Sequence, residues 1–120
     1  MANTAEAKAK KKIIEALKDA CIRIGAELYY ETHAGESYSS PTLDITGTIG
    51  LPEYQWGIPF AIEVKRFDGK GKLRERQART LREMRQAHIA AVVIDSDATL
   101  QLFLDWILLR CRSQLYIVEI

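Results

Sequence analysis

The chain has 120 residues, 48% of them apolar and 28% charged, with a formal net charge of +1; this is the balance of an ordinary globular domain, long enough to bury about two-thirds of its unfolded surface. No apolar run reaches the roughly 18 residues a membrane-spanning helix needs, and the opening "MANTAEAKAKKKIIEALKDA" lacks the apolar stretch and cleavage site of a secretory leader. Cys21 and Cys111 stand far apart without His partners, so both are expected as buried structural thiols in a reducing cytoplasm.

In residues 4–24, Ile13, Leu17, Cys21 and Ile24 recur at helical spacing, with Lys8, Lys10, Lys11, Lys12 and Lys18 largely elsewhere, which predicts a first helix. Asn3 or Thr4 can cap its start and Gly25 its end. "AELYYET" (26–32) reads as a first strand, and "HAGESYSSP" (33–41) has the Gly, Ser and Pro of a loop. "TLDITGTI" (42–49) reads as a second strand, with Leu43 and Ile45 on one side and Asp44 on the other. "GLPEYQWG" (50–57) connects it to a third strand, 58–66, and "FDGKGK" (67–72) is a glycine-rich turn. Residues 73–87 predict a second helix, with Leu73, Ala78 or Leu81, Met84 and Ala87 facing inward. "AAVVID" (90–95) is the continuous apolar run of a strand buried on both faces. Ser96 suits the cap of a third helix, 97–110, and "QLYIVEI" (114–120) reads as a last strand. The element order predicts an α/β domain spanning residues 1–120, a mixed central sheet flanked by helices.

Charge is distributed unevenly along this chain. Residues 25–62 hold five acids and no Lys or Arg, whereas residues 63–88 hold nine Lys or Arg against four acids. An acidic patch beside a basic one suits a site that holds a cation and a polyanion together.

The third strand, with "FAIEVKR" (60–66), carries the chemistry. Phe60, Ile62 and Val64 share one face, which leaves Glu63 and Lys65 together on the other. If the second and third strands are neighbours, Asp44 and Glu63 converge at one end of the sheet. Two carboxylates are the hard oxygen ligands that Mg²⁺ or Mn²⁺ takes, and Lys65 can reach the same centre. A metal that activates water and polarises a phosphoryl oxygen, with an ammonium beside it, is the minimum equipment for phosphodiester hydrolysis. The alternative reading of the same residues is a surface ion pair on an edge strand.

The longer stretch "FAIEVKRFDGKGKLRERQARTLREMRQAHIAAVVIDSDATL", preceded by "PTLD", resembles the VRR-NUC nucleases, a branch of the PD-(D/E)xK superfamily. The resemblance runs from about Pro41 to Thr99, through the Asp, the "EVK" strand end, the Gly-rich turn, the basic helix opening "KLRERQ" and the apolar strand. It implies a restriction-endonuclease-like fold and catalytic Asp44, Glu63, Lys65 and Gln77. It also implies a metal held by Asp44, Glu63 and the Val64 carbonyl. By itself Gln77 would read as a solvated helix residue. The chain departs from the family pattern at Leu43, where Pro is usual, and at Arg74, where Ser or Thr commonly caps the helix. Related nucleases often add a Glu from the first helix, for which Glu6 and Glu15 are the candidates.

Lys72, Arg74, Arg76 and Arg79 read as DNA phosphate contacts, although part of this charge can be absorbed by helical pairs such as Glu75–Arg79. Lysines 8–12 allow both readings, phosphate contact or simple solvation. His33 reads as a loop residue and His88 as a helix-end residue. The resemblance implies a Mg²⁺- or Mn²⁺-dependent endonuclease of a bacterial cell or phage-infected host, cutting branched DNA such as Holliday junctions as a homodimer. A flap or nicking nuclease and a non-catalytic DNA-binding protein are the alternatives. For the dimer, Leu100, Phe103, Leu104 and Ile107 are expected to pack on the sheet, which leaves Leu102, Trp106, Leu109 and the terminal "LYIVEI" for a partner.

Overall fold

The computed structural model describes residues 4–33, 42–51 and 56–119, with 112–119 as backbone alone. In chain order it contains helix α1 (Ala5–Ile24), strands β1 (Glu27–Thr32), β2 (Ile45–Leu51) and β3 (Trp56–Val64), helix α2 (Glu75–Gln86), strand β4 (Ala90–Ile94) and helix α3 (Asp97–Glu119). The strands form one sheet in the order β1-β2-β3-β4; the first two pairings are antiparallel and β3–β4 is parallel. A parallel pair needs a crossover, and α2 supplies it. The result is the expected α/β arrangement, a mixed four-stranded sheet flanked by three helices.

Alternation along β3 sorts the layers. Ile58, Phe60, Ile62 and Val64 pack with Ile13 and Leu17 of α1 and with Phe103 and Ile107 of α3. On the opposite face, Ala61 packs with Leu43 and with Leu81 of α2. The larger of these side chains each contribute roughly 1.5–3 kcal/mol on burial, so the α1/α3 face carries most of the core. Cys21 and Cys111 are buried in that same cluster. Burial pushes both thiols above their usual range, Cys21 to about 11, as befits inert core residues.

The helix ends follow local chemistry. Thr4 Oγ1 accepts the Ala7 N–H at 3.0 Å, and Gly25 closes α1 in the left-handed region at φ 70°. Ser96 caps α3, its Oγ accepting the Thr99 N–H at 3.0 Å. Lys12 on α1 pairs with Asp97 at the start of α3 at 2.5 Å.

Several expectations are corrected. The strand predicted at 42–49 begins only at Ile45, and Leu43 and Ile45 lie on opposite faces rather than together. The cause is a bend at Asp44, whose side chain is drawn to the Val64 N–H and whose carbonyl accepts the His33 N–H at 2.8 Å. Leu73 lies ahead of α2 and is exposed, as is Ala87 after it; Leu81 alone of the predicted inner residues is fully buried. β4 lies at the edge of the described sheet, and helices cover both of its faces as its apolar run predicts. Residues 114–119 continue α3 instead of forming a strand. Neither Gly nor Pro interrupts 97–119, so nothing in the chain stops the helix. Residues 34–41 of the predicted loop, including Pro41, and residues 52–55 of the predicted connection lie outside the described residues.

Gly47 lies where β1 and the Phe60 ring close on β2. A Cβ there would sit 2.1 Å from the Tyr29 carbonyl oxygen and 2.9 Å from Phe60 Cζ, whereas one at Gly50 would meet only the Glu27 oxygen at 3.8 Å. Gly47→Ala is therefore expected to lower stability in urea denaturation by about 1–3 kcal/mol. Gly50→Ala should change it by less than about 1 kcal/mol. Equal midpoints for the two variants would contradict this packing.

Candidate active site

Glu63 is the one buried charged residue among the described core positions, 3% exposed. It points from the α2 face of β3, one residue before the strand ends. A buried carboxylate needs partners, and two neighbours supply them. Gln77 Nε2 donates to Glu63 Oε2 at 2.6 Å, and Lys65 Nζ lies 3.4 Å from the same oxygen. Gln77 Oε1 accepts from Lys65 Nζ at 3.0 Å and from the Arg74 N–H at 2.9 Å. The amide thus spans Glu63, Lys65 and the start of α2. As the third helical residue it also satisfies the backbone donor at the N-cap, one half of a capping box. This offsets the lack of a capping side chain at Arg74.

Asp44 arrives from the bend before β2. Its Oδ2 accepts the Val64 N–H at 2.8 Å, and Lys10 Nζ from α1 lies 3.6 Å from Oδ1. The His33 backbone holds both partners: its N–H donates to the Asp44 carbonyl at 2.8 Å and its carbonyl faces Lys10 Nζ at 3.5 Å. The His33 ring meets Thr46 Oγ1 at 2.9 Å, which makes it a scaffold residue. Burial, and then the negative charge of Asp44, push the Glu63 carboxyl from an ordinary 4.5 up to about 7, against the opposing pull of Lys65.

These residues surround an open cavity of about 400 Å³ lined by Asp44, Glu63, Lys65 and Gln77, together with Thr42, Glu6 and Lys10 and with Arg66, Gly71, Lys72 and Arg74. Gly71 brings the glycine-rich turn against the Lys65 stem, where a Cβ would lie 3.0 Å from Lys65 Cβ. Of the residues expected to contact phosphate, Lys72 and Arg74 line the cavity, whereas Arg76 and Arg79 lie further along α2 and do not. Of the two first-helix carboxylates, Glu6 reaches the cavity wall and Glu15 does not. Among the described residues no three His, Cys, Asp or Glu cluster as a metal cage, so Asp44 and Glu63 stand as a pair.

The sequence reading brought Asp44, Glu63, Lys65 and Gln77 into one site and missed Lys10, His33 and Gly71. The lysine run signalled a basic helix but not which lysine turns inward. Chemically, the arrangement offers two crowded hard-oxygen donors, a lysine ammonium beside each carboxylate, and further positive charge from Arg66, Lys72 and Arg74.

Comparison with family models, curated proteins and solved structures gives no match.

The raised Glu63 carboxyl makes a pH prediction. Because the folded chain binds this proton more tightly than the unfolded chain does, the stabilisation is fully present below about 4.5 and is lost as pH rises through about 7. Glu63→Gln, which keeps a neutral group of the same shape, should raise the thermal midpoint in EDTA at pH 8 relative to the parent. At pH 4.5 the gap should largely close. A pH-independent difference would contradict the assignment.

Proposed function

We propose that this chain is a divalent-metal-dependent DNA endonuclease of the VRR-NUC type, with a restriction-endonuclease-like fold. The observation that carries the reading is the convergence of Asp44, Glu63, Lys65 and Gln77 at the end of β3, in a cavity edged by Lys72 and Arg74. The donor chemistry fits a hard cation. Burial and the Asp44 charge leave the Glu63 carboxyl poised near 7, so a cation between the pair would relieve a repulsion the fold already carries.

In this reading Asp44, Glu63 and the Val64 carbonyl would hold Mg²⁺ or Mn²⁺, which would supply polarisation of a phosphoryl oxygen and a lowered pKa of water. Lys65 sits where it can offset charge growing on the scissile phosphate. Gln77 fixes Lys65 and Glu63 relative to each other. Lys72 and Arg74 at the rim, with Arg76 and Arg79 along α2, bind backbone phosphates without reading sequence. The setting is the cytoplasm of a bacterial cell or phage-infected host; no helix among the described residues is long and apolar enough to cross a membrane.

The preferred substrate is branched DNA cut in pairs by a homodimer. Leu102 and Leu109 are 69% and 64% exposed and Trp106 lies between them on α3, an apolar stripe suited to a two-fold interface. A flap or nicking nuclease is the second reading, favoured by the helical course of 114–119, which removes the terminal strand from that interface.

Two experiments test this. Lys65→Ala should lose roughly 100-fold or more in cleavage while still binding DNA; unchanged cleavage would return Lys65 to a surface-pair role. Trp106→Glu should yield monomers that no longer cut four-way junctions in pairs. Light scattering that finds the parent monomeric at micromolar concentration, with and without DNA, would leave the nicking reading in its place.

A further inference from the structure

We propose that Lys10 is an exchangeable counter-ion of the carboxylate pair. It holds Asp44 while no metal is bound, and it transfers to a phosphate of the nucleic acid once a divalent cation takes Asp44. The inference rests on the nuclease reading above.

Asp44 presents two oxygens in different circumstances. Oδ2 is fixed by a short backbone hydrogen bond from Val64, at 2.8 Å. Oδ1 lies 3.6 Å from the Lys10 ammonium, an ion-pair separation too long for a hydrogen bond. The second contact of Lys10, to the His33 carbonyl, is also at its outer limit, 3.5 Å. Lys10 is thus attracted to this site without being anchored in it. Its side chain is 24% exposed, and a lysine carries its point charge on a flexible four-carbon stem.

A cation shared by Asp44 and Glu63 would meet this ammonium directly. Two positive groups on one carboxylate repel, and the monovalent, tethered one is the one that yields. Lys10 then remains in the wall of the same cavity as Lys72 and Arg74. A phosphodiester seated over the carboxylates is the anion such a displaced ammonium would meet. Lys8, two residues away in sequence, is exposed and lines a separate cavity with Arg66 and Phe67. It carries the same charge without touching Asp44, and so serves as the control.

The test is Mn²⁺ titration by calorimetry without DNA, on the parent, Lys10→Met and Lys8→Met. Removing the competitor should tighten Mn²⁺ binding about two- to fivefold in Lys10→Met, the scale of a single solvent-accessible ion pair, with Lys8→Met unchanged. DNA binding gives the complementary readout. With Ca²⁺ in place of Mn²⁺, the salt dependence of Lys10→Met should fall by about one ion; in EDTA it should match the parent. Equal Mn²⁺ affinity in the parent and Lys10→Met, or the same loss of salt dependence in EDTA as in Ca²⁺, would overturn the exchange and leave the nuclease reading standing. Absence of Mn²⁺ binding by both proteins would overturn that reading itself.

Discussion

Glu63 is a carboxylate placed where the fold would otherwise put an apolar side chain, and the surrounding structure is arranged around accommodating it. Burying an uncompensated charge is costly, so such a group either finds donors or takes up a proton. Here it does part of each. Gln77 and Lys65 meet its Oε2, yet burial and the nearby Asp44 still push its carboxyl up to about 7. That tension is the feature from which the metal and nuclease proposals follow.

Each element that reaches the site brings one piece of this compensation. β3 delivers Glu63 because strict alternation buries Ile62 and Val64 on the α1/α3 face and turns Glu63 under α2. α2 begins with Gln77 in its first turn, so a single amide caps the helix and ties Lys65 to Glu63. The bend before β2 presents Asp44, fixed by the amide of the residue that follows Glu63. α1 adds Lys10 and Glu6 to the cavity wall. Hydrogen bonds join Glu63, Gln77 and Lys65, and charge couples Asp44 to Glu63, so in a region of low dielectric a change at one of these is felt by the others.

Much of this was legible in the sequence. A charged pair on an otherwise apolar period-two segment marks Glu63 and Lys65 without any structure, and the β3–α2–β4 order follows from pattern and turn residues. Asp44 was legible as a candidate, but not its setting: the alternation of Leu43 and Ile45 suggested a continuous strand, and only the tertiary pull of Val64 and His33 breaks it. Gln77 was found through family resemblance alone, since a glutamine in a basic helix carries no local signal. Lys10 was hidden among five lysines whose inward member is chosen by how α1 docks. The terminal "LYIVEI" misled because a short apolar run fits strand or helix equally, and length arbitrates only once α3 is seen to continue.

The central claim, that the carboxylate pair and Lys65 form a metal-dependent phosphodiester-cleaving centre, is tested most directly by incubating the purified protein with labelled four-way junction, flap and linear duplex DNA in Mg²⁺, Mn²⁺ or EDTA. The account predicts cleavage of branched DNA in either metal, none in EDTA, and none in either metal for Asp44→Asn. Undiminished cleavage in EDTA or by Asp44→Asn, or no cleavage of any of the three substrates in either metal, would contradict it.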